Sequence, residues 1–279
     1  MLCICAVAHA QSSKKNPSSK IYVADTQGDA LIDTGKEIDD LTKKSVYNAE
    51  GVVIETKPSS NASAVLSNGT GLYFDVNTKV DILEFSQEAF RPNRSDIDDE
   101  PSLSTTRVMV DYGVVGVSTS KLVAGSRMVF ETPLASASIR GRQSVITAGE
   151  NISVFSMIQG DATVQAGSLD APHIIKAGQQ IIVRPSNKVG QPNTVLVQDI
   201  PPGTEEDTQI WLNERVLAAD SARKLVYFEV QARKDSDSSL TLFDAGATDQ
   251  SNNEIVAVPV VPASPPIGPV VSAANLSSP

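Results

Sequence analysis

The sequence predicts an all-β domain, a sandwich or β-solenoid, followed by one helix and an extended tail. Three observations predict it. Between Ile21 and Val183 the chain is a series of short segments rich in Val, Ile, Phe and Thr, side chains that suit a pleated, half-buried surface. Each segment runs a few residues before a Gly, Asn, Asp or Pro break, and turn signals at roughly 8–12-residue spacing mark sandwiches, barrels and β-solenoids. After Pro201-Pro202-Gly203 the apolar period changes once, from a strand-like to a helix-like one.

The strand-like segments are GVVIET from Gly51, SAVLSNGTGLYFDV from Ser63, KVDILEF from Lys79, TRVMVDYGVVGVS from Thr106, KLVAGSRMVFET from Lys121, ASIRGRQSVITA from Ala137, ISVFSMIQGDATVQ from Ile152 and HIIKAGQQIIVRP from His173. Alternation shows in Leu72-Phe74-Val76 and around Ile152, Val154 and Phe155, and turns are signalled by Asn68-Gly69, Gln159-Gly160-Asp161 and Ala177-Gly178. No fixed repeat period emerges, so a regular solenoid is not required. The β domain is expected over residues 21–200. GKEIDDLTKKS, Gly35 to Ser45, reads as a short helix of thin apolar content.

A helix is expected over residues 204–231. Thr204 is placed to cap it with Asp207 three residues on, a variant of the capping box. Glu205, Glu206 and Asp207 favour the positive end of the helix dipole. Ile210, Trp211, Val216 and Leu217 approximate an apolar stripe, which is expected to lie on the β domain because a lone amphipathic helix is marginal in water. Residues 236–279 contain no Lys or Arg and are rich in Pro and Val, which predicts an extended, disordered tail.

Composition narrows function by exclusion. The 279 residues carry 33 acidic and 23 basic side chains, a net charge of −10, which repels nucleic-acid phosphates. Cys3 and Cys5 are the only cysteines, and His9 and His173 the only histidines. The apolar run Leu2 to Ala8 ends in Ala8-His9-Ala10, a small-x-small site that predicts a signal peptide over residues 1–10 and a polar linker over 11–20. Export places the protein in the periplasm or outside the cell. Cleavage leaves no cysteine and one histidine, which removes disulfides, thiol nucleophiles and Cys-ligated zinc, and leaves Ser–His–Asp catalysis resting on His173 alone. No later stretch reaches the ~20 apolar residues of a membrane span.

The candidate sites are few. Phe90 to Ser104 is a long loop holding Asp96, Asp98, Asp99 and Glu100. Hard cations take several oxygen ligands, but the spacing fits no EF-hand, and a solvated acidic loop is the expected reading. Ser118-Thr119-Ser120-Lys121 matches S-x-x-K but stands in a strand-like stretch without partner motifs. Acidic residues are plentiful, yet no pair is singled out for glycoside hydrolysis. No glycine-rich phosphate loop appears, and no cofactor or metal is expected.

The middle of the chain resembles the FecR-like domain family of bacterial envelope proteins. The residues that carry the resemblance are Ala64 to Thr70, Leu72 to Val80, Asp111 to Val115, Phe130 to Gly141 with its Thr132-Pro133 and Arg140-Gly141, Val154 to Val164, and Lys176 to Gln180 around Gly178. It covers Gly51 to Val183. Arg142 stands where the family usually has Thr, and Asp161-Ala162 departs from its hairpin pattern. The landmarks read as structural: Asn68-Gly69 and Gly178 as positive-φ turns, Thr132-Pro133 as an extended step, Gly141 as a point of close backbone approach. The resemblance implies a twisted β-sandwich or solenoid-like domain outside the inner membrane and no catalysis. In the family's best-understood relatives the domain relays the state of an outer-membrane transporter to a cytoplasmic sigma factor, through a cytoplasmic segment and a membrane helix that precede it. This chain shows neither pattern ahead of the domain. The reading is therefore an interaction or scaffold module that binds an envelope protein or polysaccharide. An accessory sensor acting through a separate membrane partner, and a glycan hydrolase, are the alternatives.

N-terminal sequencing of the exported protein should begin at Gln11; an intact Met1 would overturn the signal-peptide reading.

Overall fold

A computed structural model describes residues 19–90, 98–188, 190–201, 208–225, 227–231 and 256–260. The strands run in chain order β1 (Lys20–Gln27), β2 (Ala30–Asp33), β3 (Ile38–Asp40), β4 (Val46–Asn48), β5 (Val53–Thr56), β6 (Asn61–Leu66), β7 (Gly71–Phe74), β8 (Thr78–Gln87) and β9 (Ser104–Ser118). They continue with β10 (Arg127–Glu131), β11 (Ser136–Ile139), β12 (Gln143–Gly149), β13 (Ile152–Gln159), β14 (Asp161–Gln165), β15 (His173–Lys176), β16 (Gln179–Arg184) and β17 (Thr194–Asp199). Helix α1 (Thr208–Leu225) follows.

The strands form two layers. One sheet has the order β4-β1-β6-β7-β9-β12-β13-β16-β17. The other has the order β3-β2-β5-β8-β9-β10-β11-β14-β15. From β10 onward successive hairpins alternate between the layers, and every pairing is antiparallel except β9 with β10. The fold is all-β with one helix, as the sequence predicts.

Strand β9 belongs to both sheets. Ser104 to Tyr112 pairs with β8, and Gly113 to Ser118 pairs with β12 and β7. The switch falls at Gly113, whose φ is +96°. A Cβ there would stand 2.5 Å from the Thr78 Cα, so a side chain is excluded by both conformation and space. Thr78 is fully buried and staples the bend: its Oγ1 accepts the Val114 N–H at 3.0 Å. Burial along β9 changes at the same point. The first half alternates between buried and partly exposed, and the last four residues are all buried.

The core lies between the layers. Phe74, Phe85, Phe130 and Phe155 are its largest members, packed with Ile21, Ile54, Ile82, Val108 and Ile181; each such side chain contributes about 1.5–3 kcal/mol relative to exposure. Leu72 and Phe74 point inward as their alternation predicts, but β7 stops at Phe74 and Val76 is exposed. In β13 the inward apolar residues are Phe155 and Met157, while Ile152 and Val154 are only partly buried.

Helix α1 covers the outer face of the first sheet. Its buried residues are Leu212, Val216, Ala219, Asp220, Ala222 and Arg223, whereas Ile210 and Leu217 of the predicted stripe are each 58% exposed. The seat explains the difference. On the sheet, Gly71 and Gly116 form a shallow trough, and a Cβ on either would reach within 2.2 Å of the Ala219 carbonyl or 2.5 Å of the Arg215 carbonyl. A trough of that depth brings the helix backbone at Arg215 and Ala219 close to the sheet, while Ala222 packs beside it against Tyr22 and Val65.

Three further expectations are corrected. Gly35 to Ser45 is not helical: β3 pairs with β2, and the intervening turn is closed by Gly35 N–H donating to Asp33 Oδ1 at 2.7 Å. Helix α1 ends at Leu225, not 231; Tyr227–Gln231 is strand β18, paired antiparallel with β19 (Val256–Val260). Part of the predicted tail, Val256–Val260, is thus a strand, written in Val and Ala with one Pro. The rest of residues 236–279, the signal peptide over 1–10 and the predicted cap at Thr204 and Asp207 lie outside the described residues. Among the described residues no helix is long and apolar enough to cross a membrane.

Gly113→Ala should destabilise the domain by ~3 kcal/mol, combining backbone strain and overpacking. Gly35→Ala shares the positive φ but meets no atom within 4 Å, and should cost about 1–2 kcal/mol. Urea unfolding of the two variants tests the order; equal effects would refute the packing argument at β9.

Candidate functional site

Because β9 bends at Gly113, both of its ends return to the same end of the sandwich. There they meet most of the residues that the sequence singles out. Asn68 is buried in the β6–β7 turn; its Nδ2 donates to Ser104 Oγ (3.1 Å) and Thr106 Oγ1 (3.4 Å), and its Oδ1 accepts the Thr70 N–H (3.1 Å). Gly69 follows with φ +86°, and its carbonyl accepts the Ser120 hydroxyl at 3.4 Å. Start and end of β9 are therefore tied together through one two-residue turn.

The acidic loop enters this network. Glu100 is 4% exposed. One of its carboxylate oxygens accepts the Ser104 hydroxyl and the other the Val123 N–H at 2.8 Å. The loop backbone is stitched to Lys121, whose N–H donates to the Asp98 carbonyl (2.7 Å) while its own carbonyl accepts the Glu100 N–H (2.9 Å). Asp98 accepts from Arg142 Nη2 at 3.1 Å and lies 3.5 Å from Arg223 Nη2 of α1. The expectation of a uniformly solvated acidic loop is corrected: Asp98 and Asp99 are exposed, but Glu100 is a buried anchor, because its two oxygens satisfy groups that the loop would otherwise bury unpaired. Asp96 lies outside the described residues. Among the described residues no three His, Cys, Asp or Glu side chains are grouped to hold a metal ion.

The basic side of this end is built by the turn between β11 and β12. Gly141 has no room for a Cβ, which would stand 2.5 Å from the Gln159 carbonyl. Its own carbonyl accepts the Thr119 hydroxyl at 2.7 Å, and the Arg142 carbonyl accepts the Thr119 N–H at 2.8 Å. Arg140 and Arg142 project from a turn fixed on both sides. Gly178, with φ +81°, closes the β15–β16 turn, its N–H donating to the Met157 carbonyl at 2.8 Å. Thr132 and Pro133 stand apart, at the opposite end, where Thr132 Oγ1 bridges the carbonyl and N–H of Ala135 (3.0 and 3.1 Å). His173 is paired with Asp170 at 2.9 Å, also away from this end.

Between residues 120–127 and 140–142 lies an open cleft of about 510 Å³. Lys121, Arg127 and Arg140 line it as exposed side chains, with Arg142 half-buried beside them. Among the described residues, Lys121, Arg127 and Arg140 form no ion pair. Sequence reasoning had Arg140 as a structural landmark and Lys121 and Arg142 as incidental residues, and it missed Arg127. The available signal was the basic turn Arg140-Gly141-Arg142 in a chain of net charge −10. Arg127 joins it through the β10–β11 hairpin, whose register, continued two residues, sets Arg127 opposite Arg140.

The helix is locked above this end by charge as well as shape. Asp220 accepts the Ser118 hydroxyl (3.0 Å), Arg223 Nη2 (3.1 Å) and Lys224 Nζ (2.7 Å). Burial alone would raise the Asp220 pKa, but the bonds from Lys224, Ser118 and Arg223 outweigh it and hold the carboxyl below its usual range. Towards the other end, Asp75, 7% exposed, takes Arg215 Nε and Nη2 at 2.7 and 2.6 Å, and the guanidinium lies 3.9 Å over the Trp211 ring.

No protein-family model and no curated protein matches the sequence. Among solved structures, two crystal structures of a provisionally assigned anti-sigma factor from Parabacteroides distasonis ATCC 8503 are similar, at 15% and 14% identity and a TM-score of 0.39 each. The similarity covers 53% of this chain and 59% of each of those chains.

The depressed Asp220 carboxyl makes a pH prediction. A group whose pKa is lower folded than unfolded stabilises the fold fully above its unfolded value, near 4, and loses that contribution as pH falls through the folded value. The native chain should lose helix seating in a step below about pH 4. Asp220→Asn should be less stable at neutral pH and should lack that step; tryptophan emission from Trp211 against pH reads both.

Proposed function

We propose that the chain is a non-catalytic interaction module, working outside the cytoplasm, that binds an envelope protein or polymer through the end of the sandwich holding the cationic cleft. The observation that carries this reading is the cleft itself. Lys121, Arg127, Arg140 and Arg142 are gathered on one rigid surface of a chain whose net charge is −10, and exposed charge set against the overall sign steers and selects partners. The support beneath is stiff: the turns that present these side chains are fixed by Thr119, Glu100 and the Asn68 network, as a binding surface requires. The apolar run and small-x-small site ahead of Gln11 support export. Edge strands offer a secondary means of docking: β17 ends its sheet with Leu196 and Val197 exposed.

Chemical crosslinking of the full chain in native envelopes, read by mass spectrometry and glycan analysis, tests the reading. The expected result is one stoichiometric envelope component, protein or polysaccharide, crosslinked through Lys121. Crosslinks only between copies of the chain, or turnover of a glycan by the purified protein, would overturn it.

A further inference from the structure

We infer that the cleft between residues 120–127 and 140–142 is an oxyanion site, taking a carboxylate or phosphate group carried by the envelope partner. The inference rests on the module reading and names the ligand chemistry of its cleft.

Charge gives the first argument. Lys121, Arg127 and Arg140 face one cleft without an ion pair among the described residues, and like charges held together repel until an anion joins them. Geometry gives the second. Guanidinium groups bind planar carboxylate and phosphate oxygens through paired N–H donors, with more directional preference than an ammonium has. The rim already shows this chemistry: Arg142 Nη2 holds the Asp98 carboxylate at 3.1 Å.

Placement gives the third. Arg140 and Arg142 flank Gly141, whose carbonyl is bonded to Thr119 and whose Cα packs against the Gln159 carbonyl. Arg127 opens β10 at its pairing with Thr105 of β9. The Lys121 backbone is bonded on both sides, to Asp98 and Glu100. The cations are thus pre-positioned, and binding orders side chains only. Glu100 directs both oxygens at Ser104 and Val123, Asp98 is held by Arg142 and Arg223, and Asp99 stands exposed beside Lys121, so the paired carboxylates nearby leave Lys121, Arg127 and Arg140 facing the cleft. A volume of about 510 Å³ lies within the range of small-molecule sites. Leu122, Val123 and Ala124 supply an apolar wall, and among the described residues no aromatic ring lines it, so charge and hydrogen bonding provide the selectivity.

Isothermal titration of the full chain with inorganic phosphate and with glucuronate, each against sodium chloride at matched ionic strength, tests the site. The expected result is saturable one-to-one binding of one or both probes. It should weaken about tenfold or more in Arg127→Ala/Arg140→Ala, which removes two charge-assisted contacts. It should be unchanged in Lys36→Ala/Lys188→Ala, which removes the same charge from exposed positions elsewhere. Phosphate binding alone, or glucuronate binding alone, supports the site and identifies which oxyanion it prefers. No saturable binding, or equal weakening in both double variants at matched thermal stability, overturns it. A chain that captures its envelope partner yet binds neither probe refutes the oxyanion site and leaves the module standing. A chain that binds a probe but captures no partner refutes the module alone.

Discussion

The structure depends on one strand serving two sheets. Stacked sheets lie about 10 Å apart, so a strand that belongs to both must turn sharply while its backbone groups stay paired. β9 does this at Gly113, where only glycine fits, with Thr78 supplying the hydrogen bonds that the bend would otherwise lose. The consequence reaches across the molecule. Folding β9 back brings Ser104 and Ser118 to the same end of the sandwich, and the buried turn at Asn68 and Gly69 then joins them. The acidic loop, the basic turn and the end of the helix all assemble on that junction.

The helix is held by fit first and by charge second. Gly71 and Gly116 remove the side chains that would keep it off the sheet, and the helix backbone at Ala219 and Arg215 takes the space. Asp75 with Arg215, and Asp220 with Arg223, Lys224 and Ser118, then fix its register. Buried pairs of this kind add little net stability against apolar replacements, but breaking one leaves an uncompensated charge. They specify where the helix sits more than they determine whether the domain folds.

The cleft follows from the same junction. Its cations come from two turns and the start of a strand within residues 121–142, and each is carried on backbone that is hydrogen-bonded on both sides. Asp98 reaches Arg142 and Arg223 at once, so the cleft rim and the helix that covers the sheet share a charge partner. The Arg at position 142, a departure from the family pattern that the sequence resembles, adds a side-chain ion pair to the backbone bonds by which the acidic loop meets this surface.

Local chemistry made much of the fold legible in the sequence. Strand after strand is written in branched and aromatic residues with turn residues between them, and the positive φ at Gly69 and Gly178 follows from turns that only such residues close easily. The single change of period after Pro201 placed the helix. What the sequence could not carry is whatever depends on a neighbour distant along the chain. Helix orientation was misread from Ile210 and Leu217 because the largest apolar residues predict a buried face only when the opposing surface is apolar and flat; here it is a glycine trough. Glu100 reads as solvated because an acid in a charged loop usually is, and its burial depends on Ser104 and Val123 being brought beneath it. The cleft is local only in part: the β10–β11 hairpin register, continued two residues, sets Arg127 opposite Arg140, but Lys121 joins them only because Thr119 bonds the Gly141 and Arg142 carbonyls. The sequence by itself determined which segments are strands and where they turn, since those choices are made within a few residues. The tertiary structure alone decided which turns meet, because one bend at Gly113 chooses the end of the molecule to which both halves of β9 return.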